Sequence, residues 1–409
     1  MYQFLKPLLH PIPLTLLLVA PIGVISNKGL VPLLGVMGAW SLYYAIRDGQ
    51  LRKVFSGLLP VWVFGFSALG VITAPWVLNS GDAVITALKT AGLSVAGLAL
   101  LNCTRMTAPI TTLPIKGSLV TGFTLATVIL TAATLYLNAT GEPLWGSAYG
   151  GILLNEVERE TEEWIAYAKL TTSEAIILLL FWPLCAVLLH SRHRWLTLGY
   201  LAWISFLFVR LDSTIVFAAM AGAVLAVAFA ALLERWRIRF FVVLGALYFL
   251  AMPLMIELMP PPATITDTVS ALGFNPNETH RFYIWDFTSD RIFEHPWLGW
   301  GMDSARSIDP EHQMVTWGSE LMPLHPHNAA LQIWLELGLA GAILAFGLTA
   351  HVFVSLDRLS PSPTIRLAAI GLIAAYLVYG GLAFGVWQSW WIALAWLLAA
   401  TQVSVARDG

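Results

Sequence analysis

Apolar runs of about twenty residues recur from one end of this chain to the other, separated by short charged joints. A helix needs about 20 apolar residues to cross the hydrocarbon layer of a bilayer. In lipid every backbone N–H and C=O must find its partner within the segment, which leaves the helix as the element such runs can form. Twelve runs qualify, at 8–27, 29–46, 58–78, 83–101, 118–138, 174–190, 195–210, 213–233, 239–259, 329–355, 366–386 and 388–405. The seventh is short and the last two are nearly continuous, so eleven also fits. Only 11% of residues are charged, against about 25% in soluble proteins. The expectation is an all-α, polytopic transmembrane bundle of about 12 spans, one integral membrane domain over 1–409. Lys6 precedes the first run, read as a span rather than a cleavable leader. Cys103 and Cys185 fall in or beside apolar segments and read as packing residues. A net charge of −2 gives nucleic acid no footing.

Sidedness follows from Lys and Arg, which favour cytoplasmic joints. With the N-terminus cytoplasmic, Lys6, Arg47, Arg52, Lys53, Arg105, Lys116, Arg192, Arg194, Arg235, Arg237, Arg239, Arg358, Arg366 and Arg407 fall on that side. They are twice as many as the outer Lys28, Arg159, Lys169, Arg210, Arg281, Arg291 and Arg306. Both termini are then cytoplasmic, and Lys89 is left as almost the only ionisable group within a span. Two longer segments face outward: a smaller loop at 139–173 with the acidic run 156–163, and a large, partly helical loop at 260–328 between the ninth and tenth spans. The acidic run reads equally as a solvated face or as a surface helix with Leu154, Val157, Trp164 and Ile165 toward lipid.

A structureless loop as long as 260–328 would be unusual. Its sequence predicts a helix over about 278–294, capped by Asn277 and stopped by Pro296. Arg281, Trp285 and Thr288 share one face of it, with Ile284, Phe287 and Arg291 on a neighbouring stripe. Gly299 and Gly301 mark a turn, and His325-Pro326-His327-Asn328 leads into the tenth span. Arg210, at the outer end of the seventh run, would stand at the same level.

Arg210, Arg281 and His327 thus all lie outside, at membrane level, among apolar neighbours. A guanidinium grips phosphate oxygens through two parallel N–H bonds and keeps its charge when desolvated. A neutral histidine beside it can take a proton, and nearby positive charge favours the neutral imidazole. The set fits transfer of a group from a lipid phosphate or diphosphate at the outer leaflet. Zinc is the competing use of His280, His295, His312, His325 and His327, but their spacing matches no HExxH-type motif. Asp286, Asp290 and Glu294 recur every four residues and read as a solvated stripe pairing with Arg291.

The pattern Arg281-x-x-x-Trp285, then His295-Pro-Trp-Leu-Gly-Trp-Gly301, then His327-Asn-Ala-Ala-Leu331 with Gly338 and Gly341, following nine spans, resembles the O-antigen ligase and polymerase family. The resemblance covers roughly 200–345. It implies an inverting, metal-independent glycosyltransferase of the bacterial inner membrane that needs no cofactor. Such an enzyme takes a glycan from undecaprenyl diphosphate at the periplasmic face, with lipid A–core as the acceptor in ligases and another lipid-linked repeat unit in polymerases. By the same resemblance Arg210 and Arg281 hold the diphosphate and His327 is catalytic; Trp285, His325 and Asn328, in the same segments, are read as further substrate-binding residues. The family often has Ser before the first arginine and small residues after it; here Val209 precedes and Leu211-Asp212-Ser213 follow. A ligase is favoured over an O-antigen or exopolysaccharide polymerase, and attachment of glycan to protein by the same chemistry stays open. A secondary transporter is the reading of a different class, though transporters tend to carry paired repeats and ionisable groups at the midplane.

Overall fold

The computed structural model describes residues 10–77, 79–106, 114–140, 156–211, 213–273, 275, 279–309, 313–314, 320–359 and 362–408, the side chains of Met106, 156–169 and Asp357 excepted. Among them the only β pairing is an isolated bridge between Met314 and Glu320. The protein is a helical bundle and a multi-pass membrane protein.

Each of the twelve apolar runs coincides with helix. In chain order these are α1 (Pro11–Ile25), α2 (Leu30–Arg47), α3 (Leu59–Thr73), α4 (Ser80–Met106), α5 (Ile115–Thr140), α6 (Glu156–His190), α7 (Arg194–Leu211), α8 (Thr214–Leu233) and α9 (Arg237–Leu250). The end of the ninth run forms α10 (Met252–Glu257), and the large loop contributes α11 (Pro262–Ala271) and α12 (His280–Glu294). The bundle closes with α13 (Ala329–Leu359), α14 (Pro363–Leu382) and α15 (Ser389–Asp408). Nine stretches of the described residues are long and apolar enough to cross a membrane; α8 and α9 count there as one, and α1 and α7 are not among them. A 3-10 turn joins α8 to α9 at Glu234, with φ +35.

Several boundaries differ from the sequence expectation. The helix containing the acidic run is continuous with the span behind it, because no Pro or Gly interrupts 156–182; the side chains expected to face lipid there lie outside the described residues. The ninth run breaks at Ala251 ahead of Pro253. Pro262 opens α11, where a missing N–H costs nothing. α12 begins at His280 behind Thr279, which makes no side-chain capping bond; Asn277, like Lys6, lies outside the described residues. α14 ends at Leu382, leaving a turn at 383–388 where the sequence reads as span.

The core is continuous aliphatic and small-residue packing. α1 lies against α5 and α6, α2 and α15 against α4, and α8 and α6 against α14. Cys103 and Cys185 are both buried in it as free thiols. α13 is shared between the membrane bundle and the outer loop, since α3 and α9 pack on it from one part of the molecule and α12 from another. A smaller apolar cluster joins loop to bundle: Ile292, Ala305, Ile308 and Met322 meet Leu331 and Leu335 of α13.

Candidate active site

The His-Pro-His turn is fixed from three directions. From α12, the Trp285 indole N–H donates to the Pro326 carbonyl at 3.0 Å, and Pro326 itself is buried. From within, the His327 backbone N–H donates to His325 Nδ1 at 3.2 Å, and the two rings stand edge to face with centroids 4.4 Å apart. From behind α14, the Ala383 carbonyl lies 3.0 Å from His327 Nδ1. A carbonyl can only accept, so Nδ1 carries the proton, and the neutral ring presents a lone pair at Nε2. His327 is held at φ +53, a left-handed conformation uncommon outside glycine and a frequent companion of functional sites.

Burial holds His327 below the usual histidine range, and Arg281 and His280 push in the same direction, against the Ala383 carbonyl. Arg281 therefore stands within electrostatic reach of the ring. His325 is pushed further, to about 3, by burial first and then by His327 and Arg306. Its Nδ1 accepts a bond, which requires the neutral ring.

The remaining expected residues are placed differently. Asn328 is the N-cap of α13: its Oδ1 accepts from the backbone N–H groups of Ala330 and Leu331, at 3.0 and 3.1 Å. Its carbonyl oxygen is thereby committed to the helix. Arg210 is exposed in the last turn of α7, its guanidinium 5.4 Å from the Phe206 ring centroid. α7 packs on α5 and α6, and no described contact joins Arg210 to Arg281 or His327; Asp212 lies outside the described residues. The acidic stripe of α12 is exposed, and Arg291 pairs with Glu294 at 2.8 Å. Burial holds the Asp286 carboxyl above its usual range, with Asp290 and Glu257 adding to the effect. His295 stands edge-on to Trp300. Among the described residues no three His, Cys, Asp or Glu side chains gather as a metal site would require; His312 lies outside them.

The glycine-rich segment 295–301 is more than a turn. It lies as a strap along a break in α13 at Gly338, where φ is +58. Trp300 and Gly301 donate to the carbonyls of Leu335 and Glu336, both at 2.8 Å, and Leu339 and Ala340 donate back to Pro296 and Trp297 at 2.8 and 3.2 Å. The break frees the carbonyls and N–H groups that the strap satisfies. Contact is so close that a Cβ on Gly299 would lie 2.4 Å from the Glu336 carbonyl carbon, and one on Gly338 2.4 Å from that of Trp297.

Sequence reasoning missed a polar cluster behind this strap. Glu336, fully buried, accepts from the Asp303 N–H at 2.6 Å, from Gln332 Nε2 at 3.1 Å and from the Trp387 indole. Gln332 Oε1 in turn accepts from the Val386 N–H at 2.9 Å. These bonds hold the 383–388 turn whose Ala383 carbonyl orients His327. Glu174, equally buried on α6, lies beside Ser213 and within electrostatic reach of Tyr379. Lys89, expected to be nearly the only ionisable group in the spans, is exposed. A carboxylate in an apolar run was the signal available for both acids.

Residues 175–346 match the family model described as O-Antigen ligase. Over 142 residues, about a third of this chain, it is 33% identical to a protein of Rickettsia prowazekii (strain Madrid E) and 32% identical to one of Rickettsia conorii (strain ATCC VR-613 / Malish 7). A protein of Rickettsia felis (strain ATCC VR-1525 / URRWXCal2) is 33% identical over the same length. The printed name of each begins "Putative polysaccharide ligase", and the match spans 34–35% of their own lengths. The family-model match takes in the His-Pro-His turn, the strap and the break at Gly338, and over the segment 175–346 the chain is similar to the O-antigen ligase family.

Proposed function

We propose that this protein transfers a glycan from a polyprenyl diphosphate, undecaprenyl diphosphate by the family resemblance, to an acceptor hydroxyl at the outer face of the bacterial inner membrane. The observation that carries this reading is the His327 ring, held through Nδ1 by Ala383 with Nε2 available and Arg281 within electrostatic reach. In the reaction the acceptor oxygen attacks the anomeric carbon from the face opposite the leaving group. Its proton passes to His327 Nε2, the carbon–oxygen bond to the diphosphate breaks, and configuration inverts. The leaving diphosphate gains negative charge as that bond breaks, so a fixed guanidinium at Arg281 stabilises the transition state more than the ground state. Neutral His327 is the form able to take the proton at pH 7, and the depression of its basicity by burial and Arg281 supports that state.

The relatives' names favour a polysaccharide ligase over a polymerase; by the family resemblance the acceptor is lipid A–core, and the Lys and Arg asymmetry favours cytoplasmic termini with this site outside. His327→Ala in the full chain is expected to abolish glycan transfer while the protein still inserts into the membrane. Transfer at the wild-type rate in that variant refutes the histidine's role. In the producing bacterium, glycan retained on the lipid carrier with bare core is the expected result of gene deletion, whereas core bearing a single repeat unit would identify a polymerase.

A further inference from the structure

We infer that Arg306 forms a second phosphate-binding arm beside the His-Pro-His turn, with Asp303 as the residue that aims it. The inference rests on the transfer reading above and names a part of its substrate site.

Arg306 lies in a one-turn 3-10 helix, Ala305–Ser307, a few residues beyond the strap. Its neighbour Ala305 is buried against Leu331 and Met322, on either side of the His-Pro-His turn in sequence. The guanidinium is within electrostatic reach of His325, as Arg281 is of His327. Each histidine of the turn thus has an arginine within electrostatic reach, and the two rings stand edge to face.

The arginine is held and yet open. Arg306 Nε and one terminal nitrogen meet Asp303 Oδ1 at 3.1 and 3.0 Å, while the arginine side chain is 47% exposed and the Asp303 side chain 14%. A guanidinium has five N–H groups; those not turned toward Asp303 lie on its outer edge, the edge that matches paired phosphate oxygens. Asp303 is itself fixed on every side. Its Oδ2 accepts from Thr86 of α4 at 2.9 Å and its backbone N–H donates to Glu336 of α13 at 2.6 Å. It also adopts φ +63, a left-handed conformation uncommon for a non-glycine residue. A surface ion pair of no consequence would need none of this support. Arg210 has no comparable anchor among the described residues, where its packing is against Phe206.

The phosphate could belong to the lipid diphosphate donor or to a phosphorylated acceptor, and the two are separable. The full chain in nanodiscs is titrated with polyprenyl diphosphate, with the uncharged polyprenol, and with a soluble phosphorylated core oligosaccharide, using wild type, Arg306→Ala, Arg306→Lys, Asp303→Asn and Arg281→Ala. Loss of about tenfold in polyprenyl diphosphate affinity in Arg306→Ala, with polyprenol unchanged, supports the inference with the donor as source. The same loss confined to the oligosaccharide supports it with the acceptor as source. Arg306→Lys is expected to recover part of the loss and Asp303→Asn to show part of it. Wild-type affinity for both phosphorylated ligands in Arg306→Ala and Arg306→Lys, alongside loss in Arg281→Ala, overturns the inference and leaves the transfer reading intact. A wild-type chain that binds neither phosphorylated ligand overturns both.

Discussion

Gly299→Ala tests whether the seam between the strap and α13 carries the architecture of the site. Gly299 has φ +69, and an alanine Cβ there would meet Glu336 C, Leu337 N and Glu336 O at 2.4, 2.5 and 2.6 Å. Ordinary contact begins near 3.4 Å, so the strap must retreat by about 1 Å. The flanking bonds from Trp300 and Gly301, both now 2.8 Å, would stretch past hydrogen-bonding range. Each buried bond lost costs about 1–3 kcal/mol, and the left-handed backbone adds about 1 kcal/mol for a residue with a Cβ. The sum is about 3–7 kcal/mol. Gly273→Ala separates the two contributions: its φ is +82, but nothing lies within 4 Å of the added methyl, so only the backbone cost of about 1 kcal/mol applies. The assay is thermal unfolding of both purified variants in the same nanodiscs, with glycan transfer measured in parallel. Gly299→Ala is expected to melt well below Gly273→Ala and to lose transfer as Asp303 and Arg306 are displaced. Equal melting temperatures for the two would refute the claim that the seam is close-packed.

The buried histidine makes stability pH-dependent with a definite sign. His325 is pushed from 6.5 down to about 3 in the fold, so between those values the unfolded chain binds a proton that the folded chain refuses. Stability is then fully present above pH 6.5 and falls by about 1.4 kcal/mol per pH unit as the pH drops toward 3; in a pH series of unfolding curves, His325→Gln should flatten that slope. Trp285→Phe removes the donor to Pro326 at 3.0 Å, a loss of about 1–3 kcal/mol for a carbonyl left unpaired, and should slow transfer with little change in donor KM. Arg281→Lys should cost at least tenfold in kcat, because an ammonium cannot present the two parallel donors of a guanidinium; activity close to wild type would refute a bidentate role.

How much of this was legible depended on whether the signal was local. The apolar runs announced their helices because hydropathy over twenty residues needs no partner to interpret. The shared face of Arg281 and Trp285 was likewise readable, since helical spacing alone sets it. Asn328 was readable too, as a side-chain acceptor immediately before an apolar helix. It was also read as a substrate contact, and the cap engages only its Oδ1. The strap was visible only as a pair of turn glycines. Its partner, the carbonyls exposed at Gly338, lies some forty residues away, and no periodicity connects the two. The 383–388 turn was hidden for a related reason: its residues are as apolar as the span they follow, and only the bonds from Gln332 and Glu336 make it a turn with a function.

That turn explains why an acid should be kept inside an apolar helix at all. A buried carboxylate is costly unless several donors satisfy it, and hydrophobic packing could hold two helices together without it. Packing alone, however, is non-directional and could not fix a carbonyl to within the few tenths of an ångström that a hydrogen bond to His327 Nδ1 demands. Glu336 gathers donors from three separate segments, at Asp303, Gln332 and Trp387. The same carboxylate therefore sets the strap that aims Arg306 and the turn that orients His327. On the proposed function, both sides of the reaction centre are referenced to one atom group. Its replacement by Gln, which turns an acceptor into a donor facing other donors, should disturb the histidine and the second arginine together, where a change to either alone would not.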